Sequence, residues 1–195
     1  MIFIERAITN SCEMQFSRAI DLRSGVCVGF TYLEYSFGLA TCNLGDRTRT
    51  FPNPFTGETI TVPVDDGLSA SECTALRTVI HATGFKKSAV SGEGFELRLS
   101  QDESVRLRDE IEIGVAGFSV ELVVVSLSNV VLDLLLSIAR AGNLAFTSST
   151  GGHVCLVTPA TTRVAARWPD AVTIKTRDDV QHWLEGVIRG RRVTL

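Results

Sequence analysis

Between Arg47 and Val64 the chain reads as an alternating strand, a corner at Pro52-Asn53-Pro54, a turn at Thr56-Gly57 and a second alternating strand. Two prolines lock φ through the corner and Gly57 permits a positive one, so the backbone path is specified almost residue by residue. That pattern predicts a shaped hairpin facing solvent, and shaped loops are where function concentrates. The stretch holds no nucleophile–base pair, no metal ligands and no phosphate cradle. It therefore speaks to architecture and to recognition, and not to a reaction.

The rest of the chain supports α+β. Three helices carry their own start and stop signals. Ser69 and Glu72 form a capping box ahead of Cys73, Leu76 and Ile80, and Gly84 supplies a stop. Ser128 caps a leucine-rich helix running through Leu132, Leu135 and Ile138 to Gly142; its apolar surface is wide enough to lie between layers. A third begins near Thr176, with Asp178 and Asp179 in its first turn, where they complement the helix dipole. Val180, Trp183, Leu184, Val187 and Ile188 form its apolar stripe.

Strand-like alternation falls at Met14–Ile20, Val26–Tyr32, Tyr35–Cys42, Thr48–Phe51, Thr59–Val64 and Phe95–Leu99. It continues at Val105–Ile113, Phe118–Val125, Leu144–Thr147, His153–Val157 and Ala171–Lys175, with a hairpin turn over Ser148–Gly152. Runs of short strands punctuated by single helices predict a mostly antiparallel sheet with about three helices packed on one face. One domain over 1–195 is expected, with a weak boundary near 86–94 where glycine and polarity rise.

Several function classes are disfavoured by composition. A net charge of −3 gives no general electrostatic case for nucleic acid. The tail Arg189–Arg192 is basic but falls at a helix C-terminus, where positive charge is locally favourable. The apolar run Val120–Ile138 is long enough to span a bilayer, yet it contains Glu121, Asn129 and Asp133. A central Asp alone would cost about 2.5–3.5 kcal/mol there, so strand, turn and helix are expected instead of a membrane span. Five widely spaced cysteines without a Cys-x-x-Cys pattern read as reduced thiols in a cytoplasmic protein. No secretion signal is visible at the N-terminus.

Each catalytic constellation in the sequence has a plainer reading. His153 and Cys155 share a strand face, but i, i+2 side chains stand too far apart to count on a direct hydrogen bond. His81 and His182 join no His-x-x-x-His pattern, so neither a metal nor another cofactor is expected. The pairs Asp65-Asp66, Asp109-Glu110 and Asp178-Asp179 fit a turn, a solvated strand and a helix N-terminus. Gly92, Gly94, Gly151 and Gly152 precede strands and not helices, which is the wrong context for phosphate. What remains is a set of aromatics and arginines in loops: Arg47, Arg49, Phe51 and Phe55 on the hairpin, with Arg167 and Trp168 further on. These residue types are enriched at protein–protein hot spots; the competing reading has the two phenylalanines anchoring the hairpin to the core.

The Asn53–Glu58 hairpin, the Val62-Pro63 strand and the Asp65-Asp66-Gly67 link into a capped helix look like a motif in uncharacterised small bacterial proteins. The helix ending Ala139-Arg140-Ala141-Gly142, the Arg167-Trp168-Pro169 segment and the closing amphipathic helix resemble the same group, from Phe51 to Ile188. Some of these resemble immunity proteins, which sit in the cytosol and neutralise a partner toxin. The resemblance carries over no catalytic residues. The reading is a non-enzymatic protein-binding module whose partner is another protein, a toxin in the immunity-type version. The alternatives are a small enzyme using Cys155 and His153, or an assembly component that forms a closed homo-oligomer.

Overall fold

The computed structural model describes residues 4–7, 14–20, 27–88, 94–101, 103–148 and 154–188. In chain order the elements are β1 (Ile4–Ala7), β2 (Met14–Ile20), β3 (Cys27–Thr41), β4 (Leu44–Pro52), β5 (Thr59–Asp65) and α1 (Ala70–Thr83). Then follow β6 (Lys86–Lys87), β7 (Phe95–Arg98), β8 (Ser104–Leu107), β9 (Gly117–Val124), α2 (Asn129–Ala141) and β10 (Leu144–Thr147). The chain continues through β11 (Val154–Leu156), α3 (Thr162–Arg167), β12 (Val172–Thr173) and α4 (Arg177–Ile188). Ten strands form one sheet in the order β12-β11-β10-β3-β9-β8-β7-β6, with β1 and β2 beside the first half of β3; β4 and β5 form a separate two-stranded ribbon. Among the described residues every ladder is antiparallel except β11–β12. This is the α+β architecture that the pattern of strands and capped helices implied.

Register shows which face is the core. Phe37 lies opposite Val120 and Leu39 opposite Phe118 across β3–β9, Leu107 opposite Val120 across β8–β9, and Phe146 opposite Leu39 across β10–β3. Directly opposed side chains share a face, and all of these are buried. Three helices cover that face, α1 with Leu76 and Ile80, α2 with Leu132, Leu135 and Ile138, and α4 with Val180, Trp183 and Leu184. Trp183 meets Phe37 edge-on, ring centroids 5.6 Å apart, and Phe146 at 5.4 Å. The caps are as the sequence indicates. Glu72 N donates to Ser69 Oγ and Ser69 N to Glu72 Oε2, Gly84 closes α1 at φ 85°, and Ser128 Oγ accepts from Val131 N. No helix among the described residues is long and apolar enough to cross a membrane; the Val120–Ile138 run divides into strand, turn and helix.

Several elements differ from the sequence reading, β1 (Ile4–Ala7) and the early start of β4 at Leu44 among them. The segments Val26–Tyr32 and Tyr35–Cys42 merge into the single strand β3, because Leu33 pairs with Met14 on one side and Val124 on the other. With both edges hydrogen-bonded there is no room for a turn. Conversely the segment Val105–Ile113 stops at Leu107: the Asp109 carboxylate accepts from Ser119 N, and the chain turns at Gly114, φ 87°. A fourth helix, α3, was not expected. Its Val164 packs with Cys42, Ala145 and Leu156 on the opposite face of the sheet from the other helices. The two-residue strand β6 pairs with β7, so the described residues flanking the weak boundary near 86–94 belong to one sheet. Of the expected Ser148–Gly152 turn, all but Ser148 lie outside the described residues.

Toward β7–β9 the face opposite the helices is polar. Arg106 donates from Nε and Nη2 to Glu96 Oε1 at 3.2 and 3.1 Å, and Arg108 pairs with Glu121. Arg106 lies directly opposite both Glu96 and Glu121, and opposite charges across a ladder support strand pairing, so these charges have a structural role.

Candidate functional site

The ribbon is built from the turn outward. Asn53 N donates to Glu58 O at 2.7 Å and Gly57 N to Asn53 O at 2.8 Å. The Asn53 side-chain oxygen accepts from Phe55 N at 2.9 Å, and Thr56 Oγ1 from Glu58 N. Gly57 sits at φ 73° with open space where a Cβ would be, so glycine is needed there for conformation and not for room. Asn53, Phe55, Gly57 and Glu58 are thus each held by a backbone hydrogen bond, Pro54 by its ring, and Gly57 supplies the positive φ.

Alternation then decides the edges. Asn53 faces inward to Glu58, so the pairs Phe51–Ile60 and Arg49–Val62 also turn their amides toward each other. Positions 48, 50 and 52 on β4, and 59, 61 and 63 on β5, point outward. Both ladder prolines, Pro52 and Pro63, fall in this outward class. There a missing N–H costs no ladder bond and removes a donor that another strand could use. The ribbon is guarded against edge pairing along both sides.

Side chains divide by the same alternation. Arg49, Phe51 and Ile60 share one face, while Thr48, Thr50, Thr59 and Thr61 share the other. Phe51 is 40% exposed and Phe55, at the apex, 94%. Neither belongs to a core cluster, so the anchoring role considered for them is not what the structure has. Arg49 is exposed; the Arg47 side chain lies outside the described set.

Arg167 and Trp168 sit elsewhere, at the foot of the ribbon. Arg167 pairs with Asp65, the last residue of β5, and its guanidinium lies 4.9 Å from the Trp168 ring centroid. Trp168 is half-buried against the cluster under α3. Arg163 Nη1 donates to Leu44 O at 3.3 Å, at the start of β4. The six nominated residues therefore separate into a tip group and a foot group. Asp65 and Arg163 were not singled out as foot residues by sequence; Asp65 read as part of a turn, and no local pattern links it to a partner 102 positions away.

Where titration is displaced, no thiol is shifted toward a nucleophile and no carboxyl toward a general acid. Burial, then the negative charge of Asp179, pushes the Cys155 thiol up to about 12. Burial and Glu72 push Cys42 up to about 11, with Arg167 opposing. Burial and then Glu185 push Tyr35 up to about 12. A thiol at about 12 is ionised in only about one molecule in 10⁵ at pH 7, and nucleophilic cysteines need the reverse shift. His153, the proposed base, lies outside the described residues. Asp179 is held below the usual carboxylate range by the amides of Lys175 and Thr176, and Glu110 by its hydrogen bond from Lys87. General acids need the opposite direction. No cluster of three or more His, Cys, Asp or Glu side chains that could hold a metal occurs among the described residues.

No protein-family model matches the chain, and neither a curated protein nor a solved structure matches it.

Proposed function

We propose that this protein is a non-enzymatic binding module and that a partner protein grips it through the β4–β5 ribbon. The observation that carries the proposal is Phe55, 94% exposed at the apex of a turn held by Pro54 and by hydrogen bonds at Asn53, Phe55, Gly57 and Glu58. Burying a phenylalanine is worth about 1.5–3 kcal/mol. Here that free energy is not used in folding, so it stays available for association. A turn already in its bound shape loses little entropy on docking. Phe51 and Arg49, on one face below the tip, extend the surface with residue types that dominate interface hot spots. Prolines on both outer edges favour docking through side chains over strand addition.

The finer form of the proposal is an immunity-type role in the cytoplasm, with a toxin as the partner; the motif around Asn53–Glu58 motivates it. Affinity capture from the native host with wild type and a Phe51→Ala/Phe55→Ala variant tests the binding reading. A stoichiometric protein partner held by wild type and released by the variant is expected. Equal retention by the variant, or no partner together with turnover of a small molecule, would overturn it.

A further inference from the structure

We infer that α3 is a clamp that sets the direction of the ribbon, with Arg163 and Arg167 as positioning residues; its value for recognition rests on the protein-binding reading above. The two arginines are four residues apart and so share a face of the helix. They reach the two ends of one ladder pair, Leu44 opposite Asp65: Arg163 donates to the Leu44 carbonyl and Arg167 pairs with the Asp65 carboxylate. The helix is itself fixed to the sheet by Val164, buried with Ala145 and Leu156. Trp168 restrains Arg167 further by lying under its guanidinium.

Directly beyond this pair the ladder slips. Leu44 faces Asp65, but the next pair is Thr48–Pro63, so β4 takes four steps where β5 takes two. Interruptions of this kind bend a ribbon and re-aim it. Beyond the slip, no hydrogen bond or ion pair among the described residues ties Thr48–Thr61 to the rest of the molecule. The tip therefore takes its direction from the foot. With roughly 15 Å of ribbon past the slip, a rotation of about ten degrees at the foot moves Phe55 by about 2.5 Å, enough to miss a pocket shaped for it.

Ion pairs with this much solvent access add little to global stability, so the clamp should act on orientation and leave the unfolding midpoint near wild type. Residual dipolar couplings of the weakly aligned, ¹⁵N-labelled full-length protein read that orientation directly. In wild type, the amides of Thr48–Phe51 and Thr59–Thr61 should fit the same alignment as those of β3 and β9. In Arg163→Met/Arg167→Met the ribbon couplings should lose their fit to the sheet alignment while the sheet couplings stay unchanged. Asp65→Asn removes the pair without touching α3, and it decides the matter if the double variant does not fold. The charge-swapped Asp65→Arg/Arg167→Asp protein should recover most of the loss. Ribbon couplings that still fit the sheet alignment in both the double variant and Asp65→Asn would overturn the clamp. No partner enters this measurement, so its failure leaves the protein-binding reading standing; failure of the capture experiment described above would sink that reading and leave the clamp.

Discussion

The helix-covered face of the large sheet and the free face of the ribbon follow the same local rule and end differently. In both, apolar residues alternate along antiparallel strands and meet directly across the ladder, Phe37 with Val120 in one and Phe51 with Ile60 in the other. Over the first pair lie α2 and α4, and Phe37 is buried. Over the second no core cluster lies among the described residues, and Phe51 is 40% exposed. Alternation specifies which side chains share a face; what covers the face comes from elements far away in the chain. The edges differ too. The ribbon carries proline on both outer edges, whereas β3 and β9 have none and are hydrogen-bonded on both sides.

The comparison can be broken at several strengths. The strongest is Trp183→Ala, which removes the largest fully buried side chain, wedged between Phe37 and Phe146. A loss of about 3–5 kcal/mol in urea unfolding is expected, a large part of a typical domain's stability. Trp183→Phe should cost well under half of that. The indole N–H has no hydrogen-bond partner among the described residues, and removing an unsatisfied buried donor offsets some of the lost packing.

Next comes Asp179→Ala, at about 1 kcal/mol near neutral pH, the usual worth of a helix cap. Asp179 accepts from Lys175 N and Thr176 N at the start of α4. Its pKa is depressed in the folded protein, so its contribution is complete above the unfolded value of about 4 and is lost as pH falls below that and through the lowered folded value. Urea midpoints between neutral and strongly acid pH should converge for wild type and variant at the acid end. A constant gap across that range would refute the assignment. Smaller again is the response of Cys155 to iodoacetamide near neutral pH. Buried, with its thiol pushed up to about 12, it should stay unlabelled in the folded protein. Rapid native labelling would revive the enzymatic alternative.

What could be read from sequence was local. The caps of α1 and α2 depend on residues within one turn of each other and were legible; at α4 the pattern placed Asp179 in the first turn only as a partner of the helix dipole, and not as the acceptor for Lys175 N and Thr176 N. So were the bounds of β2 and β10, where alternation begins and ends cleanly. The order β10-β3-β9 was not, because it pairs segments about 100 residues apart along the chain. Helix α3 escaped notice since six residues with one buried side chain, Val164, make no periodic stripe; its Thr161 cap, accepting from Val164 N, was the one available signal. At the candidate site, the turn chemistry of Asn53–Gly57 was legible. The exposure of Phe51 and Phe55 was open between two readings, because burial is decided by what packs above. Arg167 and Trp168 were grouped with the hairpin by residue type, yet they sit at its foot, held there by Asp65 and the Val164 cluster.

The division between a body that holds the fold and a ribbon kept free of it is tested most directly by urea unfolding of the Phe51→Ala/Phe55→Ala double variant. Two aromatic truncations in a core would cost about 3–5 kcal/mol each. Here each should fall within about 0.5 kcal/mol, as for surface positions, and the midpoint should stay close to wild type. A midpoint lowered as far as that of Trp183→Ala would mean that the ribbon's phenylalanines are core residues, and the proposed binding surface would have to be abandoned.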